Sequence, residues 1–173
     1  MCGRFVAASP PADIAAYFDV EEVSEALVEP NWNVAPTSDV YVVYSDGGVR
    51  RLDPLHWGLI PSWAKDMSVG NRMINARAET IATKGAFKSS FAKRRCIVPA
   101  DGFYEWQKVA GGKQPWWIGL EDRRPFAFAG LWASWKRPEG GELESCAILT
   151  TAAGSTAPPC AKPRATTRCA ATT

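Results

Sequence analysis

The sequence predicts an α+β protein, mainly antiparallel β-sheet, barrel-like, with short flanking helices. Three observations lead there. Runs rich in β-branched and aromatic residues outnumber stretches with helical spacing, the helical stretches are short, and Gly, Pro and Asp residues punctuate the runs. A length of 173 residues suits one domain better than two.

In chain order, Ser9-Pro10-Pro11 ahead of Ile14, Tyr17 and Phe18 predicts a short capped helix. Residues 31–37, Asn-Trp-Asn-Val-Ala-Pro-Thr, read as an irregular loop. Residues 40–44 form a β-rich run, Ser45-Asp46-Gly47-Gly48 turns it, and residues 49–52 return as a hairpin. Residues 55–60 predict a further strand, stopped by Pro61. Ile81, Phe87 and Phe91 lie at helical spacing within 81–92, interrupted by Gly85. Strands are expected at 96–99 and 103–107 around Asp101-Gly102, then at 116–120, 126–129 and 146–151. From Ala152 to Thr173 there are seven Ala and five Thr, with no acid, aromatic, Leu, Ile or Val. Such a stretch buries too little apolar area to offset its ordering entropy, so 154–173 is expected to be a disordered tail outside a domain of residues 1–153.

The net charge of +2 does not by itself imply nucleic acid, but its distribution is uneven. Residues 71–115 hold nine Lys/Arg and three acids, whereas Glu21, Glu22, Glu25 and Glu29 gather earlier, so one face is expected to be positive. Two solvated charged surfaces would give the same counts. Five cysteines, at 2, 96, 146, 160 and 169, form no CxxC pair, and no signal peptide is expected ahead of them. Free thiols in a reducing cytosol are expected, with no metal site, no cofactor and no membrane partner.

Chemistry concentrates at Cys2. Methionine removal before a small second residue would make it the amino terminus, with an amine and a thiol on adjacent carbons. An α-amine with a pKa of about 7.7–8.0 is substantially neutral near pH 7 and attacks aldehydes to give an imine. The neighbouring thiol can then close a thiazolidine ring, an intramolecular step favoured by proximity.

Met1-Cys2-Gly3-Arg4-Phe5 opens a set of ordered blocks: Asn33-Val34-Ala35-Pro36-Thr37, His56-Trp57-Gly58-Leu59-Ile60-Pro61-Ser62-Trp63, Asn75-Ala76-Arg77-Ala78-Glu79-Thr80, and 94–106, which ends in Gly102-Phe103-Tyr104-Glu105-Trp106. With Gly130-Leu131-Trp132 and Leu149-Thr150-Thr151, these resemble the SRAP family, the SOS-response-associated peptidase or abasic-site processing proteins. The resemblance covers roughly residues 2–153 and implies a DNA-damage protein that traps abasic sites in single-stranded DNA as a thiazolidine. By the same resemblance Cys2 is the nucleophile. Asn75 orients the amine and the sugar hydroxyls, and Glu105 is the acid–base residue. Arg4 and Arg77 bind phosphate, with Arg77 on the same strand face as Asn75 if the segment is extended. Trp63 and Trp106 stack on bases, the other six Trp being assigned to the core. The implied partner is abasic single-stranded DNA, bound by a cytoplasmic monomer that joins the nucleoid when acting on DNA.

The sequence departs from the family in one respect. A His-Asp-Arg-Met-Pro-like motif is expected shortly after Thr150-Thr151, yet the chain's one histidine is His56, read as a packed residue of the earlier block. Two other functions stay open on the sequence: an N-terminal-cysteine peptidase or autopeptidase, and a non-catalytic reader of damaged or modified DNA.

Overall fold

The computed structural model describes residues 3–152. Its elements run β1 (Phe5–Ala7), α1 (Pro11–Tyr17), β2 (Glu22–Val23), β3 (Asn31–Val34), β4 (Asp39–Asp46), β5 (Val49–Trp57), a 3₁₀ helix (Met67–Arg72), β6 (Asn75–Arg77), α2 (Lys88–Lys93), β7 (Arg95–Ala100), β8 (Gly102–Val109), β9 (Gly112–Ile118), β10 (Phe126–Lys136) and β11 (Glu142–Thr150). Strands dominate and the helices are short, in line with the predicted α+β class.

β5, β4, β7, β10 and β11 follow one another antiparallel, and β11 returns to pair in parallel with β5 at Ser145–His56 and Cys146–Trp57. That last pairing closes a five-stranded barrel and removes the edges an open sheet would expose. β2 and β6 extend the sheet beyond the ring. A second sheet has the order β3-β1-β8-β9. Alternate barrel residues point inward, among them Val40, Val42, Leu55, Trp57, Val98, Cys146 and Ile148, and Phe5 and Val34 of the second sheet enter the same core. The two sheets therefore share one apolar interior.

Local chemistry explains the elements that were read correctly. Gly47 and Gly48 take φ of +59° and +92°, the left-handed values a tight hairpin turn requires. β7 and β8 are separated by Asp101 alone, where the chain crosses from the barrel to the second sheet.

Several expectations need correction. Residues 31–34 are strand β3, paired with β1 from the far side of α1. Residues 49–57 are a single strand, ended by Gly58 at φ +152° before Pro61 is reached. Within 81–92 only the second half is helical, as part of α2; the stretch before it is a series of turns. Helix α1 starts at Pro11 with no side-chain cap, since its N-cap residue is Pro10, and the Ser9 hydroxyl donates to Asp101. The tail 154–173 lies outside the described residues.

A close backbone approach positions β6. A Cβ on Gly58 would lie 2.8 Å from the Gly70 carbonyl oxygen, and one on Gly70 would lie 2.5 Å from that of Gly58. Glycine at both places lets the 3₁₀ segment lie against the barrel rim. Leu59 N–H then donates to the Met73 carbonyl at 3.2 Å, and the chain enters β6 alongside β11.

Candidate functional site

The first described residues run along β8. Phe5 pairs with Phe103, and the Tyr104 N–H donates to the Arg4 carbonyl at 3.0 Å, one residue from Glu105. The Arg4 guanidinium donates to Asn33 Oδ1 at 3.1 Å, and the Tyr104 hydroxyl donates to the Trp32 carbonyl at 3.0 Å. The 31–34 segment thereby holds Arg4 and Tyr104 in place. Neither Asn33 nor Tyr104 was singled out from the sequence. The signal was present, since both lie inside the quoted blocks, but nothing local separates a holding residue from its neighbours.

Glu105 is half-buried on the strand face that also carries Phe103. Phe103 packs edge-on against Phe126 and Phe128, with ring centroids 6.2 and 5.8 Å apart. Across the hairpin Glu105 faces Trp116, whose indole N–H donates to Gln107 Oε1 at 2.9 Å. Aromatic side chains thus lie along the strand and across the hairpin from this carboxyl group.

Asn75 opens β6 and is half-buried; Arg77 closes β6 and is exposed. Both lie on one face of an extended segment, as expected, with Ala76 buried on the other. Their link to the chain start is physical. The Phe5 ring packs edge-on against Trp57 at 5.0 Å, and the Trp57 indole N–H donates to the carbonyl of Ile74 at 2.9 Å, next to Asn75. One buried indole therefore joins the strand after Arg4 to the strand that carries Asn75. Beside Arg77, the exposed Glu79 carboxyl is held below its ordinary range, chiefly by the Ala152 N–H it accepts.

Of the two tryptophans assigned to DNA, Trp106 is 42% exposed on β8, near Glu105. Trp63 is 62% exposed on the loop after Pro61, and no described contact joins it to β8. The assignment of the other six to the core was too broad. Trp57 and Trp135 are buried, whereas Trp32 is 66% and Trp117 39% exposed. Trp117 lies across Gly102 and Gly119, whose Cβ atoms, if present, would fall 2.2 and 2.5 Å from its indole. Two glycines thus make room for an indole on the sheet surface.

Cys2 lies outside the described residues. Among those described, Cys96 and Cys146 are buried and free. Burial pushes the Cys96 thiol up to about 12 and raises that of Cys146 as well, so both stay protonated and unreactive. His56 is buried on β5, with Nδ1 3.7 Å from Asp39; burial lowers its pKa against the pull of that carboxylate. It is packed, as expected.

Two concavities, one bordered by Tyr17, Arg50 and Arg95 and another by Pro10, Pro30 and Pro125, take in none of Arg4, Asn75, Arg77 or Glu105. Among the described residues no helix is long and apolar enough to cross a membrane, and no group of His, Cys, Asp and Glu is arranged to hold a metal.

Comparison with known proteins adds independent findings. Residues 1–160 match the family described as SOS response associated peptidase (SRAP). The chain is 45% identical over 153 residues to abasic site processing protein YoqW of Bacillus subtilis, covering 87% of this chain and 68% of that protein. It is 36% identical over 157 residues to abasic site processing protein YedK of Escherichia coli, covering 88% and 68%. With abasic site processing protein HMCES of Gallus gallus it shares 32% over 191 residues, covering 87% and 57%. A crystal structure of a Bacteroides thetaiotaomicron protein superposes with a TM-score of 0.78 at 26% identity, covering 87% of this chain and 68% of that one.

Proposed function

The chain belongs to the SOS response associated peptidase (SRAP) family, and from that premise we propose that it captures abasic sites in single-stranded DNA covalently through Cys2. The observation that carries this reading is the path from the chain start to both partners. Arg4 runs beside Tyr104 and Glu105, and Phe5 reaches Asn75 through Trp57 and Ile74. Relatives named for abasic site processing supply the aldehyde-bearing substrate.

With the initiator methionine removed, the Cys2 amine attacks C1 of the ring-opened sugar. The resulting carbinolamine loses its hydroxyl as water, with Glu105 delivering the proton, and leaves an imine. The thiol sulfur adds to the imine carbon while its proton passes to the nitrogen, closing the thiazolidine. The sum is one C–N and one C–S bond formed and one water released, with no oxidant or reductant. Asn75 orients the amine and the sugar hydroxyls. Arg4 and Arg77 take the flanking phosphates, and Trp106 and Trp63 offer faces to neighbouring bases. The acid–base work is assigned to Glu105, and His56 is buried on β5.

The test is incubation with abasic single-stranded DNA followed by a denaturing gel. Wild type should give a shifted band and Cys2→Ala none. A permanent extension ahead of Cys2 that still allowed crosslinking would refute the thiazolidine mechanism. Cleavage of a separate peptide substrate without a crosslink would favour the peptidase reading, and DNA binding without a crosslink would favour a non-catalytic reader.

A further inference from the structure

We propose that Asp101 is the positioning residue that sets where the terminal nucleophile stands relative to Glu105; this rests on the reading of Cys2 above. Strand β1 is only three residues long. It pairs with β8 at Phe5–Phe103 and Val6–Gly102, and its pairing with β3 shifts register between Phe5 and Ala7. So short and irregular a strand is weakly specified by its ladder alone. A slip of one residue would turn Phe5 out of the core and carry the chain start away from Tyr104.

Asp101 prevents that slip. Its Oδ2 accepts the N–H groups of Ala8 at 2.7 Å and Ser9 at 3.0 Å, and its Oδ1 accepts the Ser9 hydroxyl. Its own N–H donates to the Val6 carbonyl at 2.9 Å. Four hydrogen bonds from one residue thus fasten the end of β1 and the approach to α1. The fastening point is itself the junction between β7 and β8, four residues before Glu105. One side chain therefore couples the strand leading to the amine, the barrel, and the strand that carries the acid–base carboxyl. Hydrogen bonds to a carboxylate are stronger than neutral ones, and the two Oδ2 bonds hold adjacent N–H groups at once. Asparagine can keep this geometry only with a neutral amide oxygen on the two N–H groups and its NH₂ donating to the Ser9 hydroxyl oxygen, so it loses the charge assistance of all three side-chain bonds.

The experiment compares wild type, Asp101→Asn and Ser9→Ala in three assays. These are crosslinking rate against concentration of abasic single-stranded DNA, reaction of the N-terminal aminothiol with a small soluble aldehyde, and thermal unfolding. Asp101→Asn should lower the saturating crosslinking rate at least tenfold, with half-saturation within twofold of wild type and the small-aldehyde rate unchanged. The free aldehyde diffuses to the amine wherever it stands, so only a displaced nucleophile gives that split. Ser9→Ala keeps both backbone bonds and the fold, and should give a smaller loss in the same direction. A folded Asp101→Asn that crosslinks at the wild-type rate overturns the inference while leaving the Cys2 reading intact. Should Asp101→Asn fail to fold, Ser9→Ala decides, and an unchanged rate there overturns it. If wild type forms no crosslink, the Cys2 reading falls and this inference with it.

Discussion

Truncating Phe5 to alanine tests whether the fold and the site share one keystone. Phe5 is fully buried, with its ring edge-on to Trp57 at 5.0 Å and to Phe128 at 5.8 Å. Removing a buried Phe side chain costs about 3–5 kcal/mol, and each aromatic pair accounts for roughly 0.5–1.5 of that. That is a large share of a total stability on the order of 5–15 kcal/mol. For a chain of this size each kcal/mol moves Tm by about 2–4 °C, so a loss of about 4 kcal/mol should lower Tm by roughly 12 °C. Thermal unfolding followed by circular dichroism reads the shift. Crosslinking measured well below both midpoints should also slow, because Phe5 lies between Arg4 and the Trp57 indole that leads to Asn75. Phe5→Leu, which refills the space without a ring, should fall between the two. A Tm change under about 2 °C, no more than 1 kcal/mol predicts, would refute the packing argument. A full Tm loss with undiminished crosslinking below the midpoint would refute the link from this ring to the site.

Four further outcomes are expected. Glu105→Gln should slow the saturating crosslinking rate by about 100-fold or more while leaving DNA affinity nearly unchanged, as rate and half-saturation measured separately would show. Arg77→Ala should weaken DNA binding and make the slope of log affinity against log salt shallower by about 0.7, read from titrations at several salt concentrations. Gly70→Ala forces a methyl group to 2.5 Å from the Gly58 carbonyl oxygen, and should destabilise by about 1–3 kcal/mol, visible as a lower denaturant midpoint. Burial holds the folded-state pKa of His56 down, so the stability it contributes is present above the unfolded value of about 6.5 and is lost as pH falls below it; His56→Gln should flatten the Tm–pH curve across that window.

How much was legible in the sequence depended on the range of the interaction. The hairpin of residues 40–52 could be read because Gly47-Gly48 carries its own left-handed turn and the flanking runs are β-branched; that its second strand runs on to Trp57 could not. The Asn75 and Arg77 arrangement could be read because an extended backbone puts alternate residues on one face. Strand β3 could not, since Asn31-Trp32-Asn33 has no strand character until β1 supplies its hydrogen-bond partner. Tryptophan exposure was equally hidden: Trp57 and Trp117 are alike as residues, and only the sheet face each occupies separates them.

The sequence by itself determined the strand-rich class, the family membership and the residues with reactive or charge-bearing groups, all of which follow from residue identity and local backbone preference. Tertiary structure alone decided that β11 closes the barrel against β5, that Trp57 links Phe5 to Asn75, and that Ser9 bonds to Asp101. Each of these joins groups far apart in the chain, and the energy that selects such a pairing exists only once the sheets have packed on a shared core.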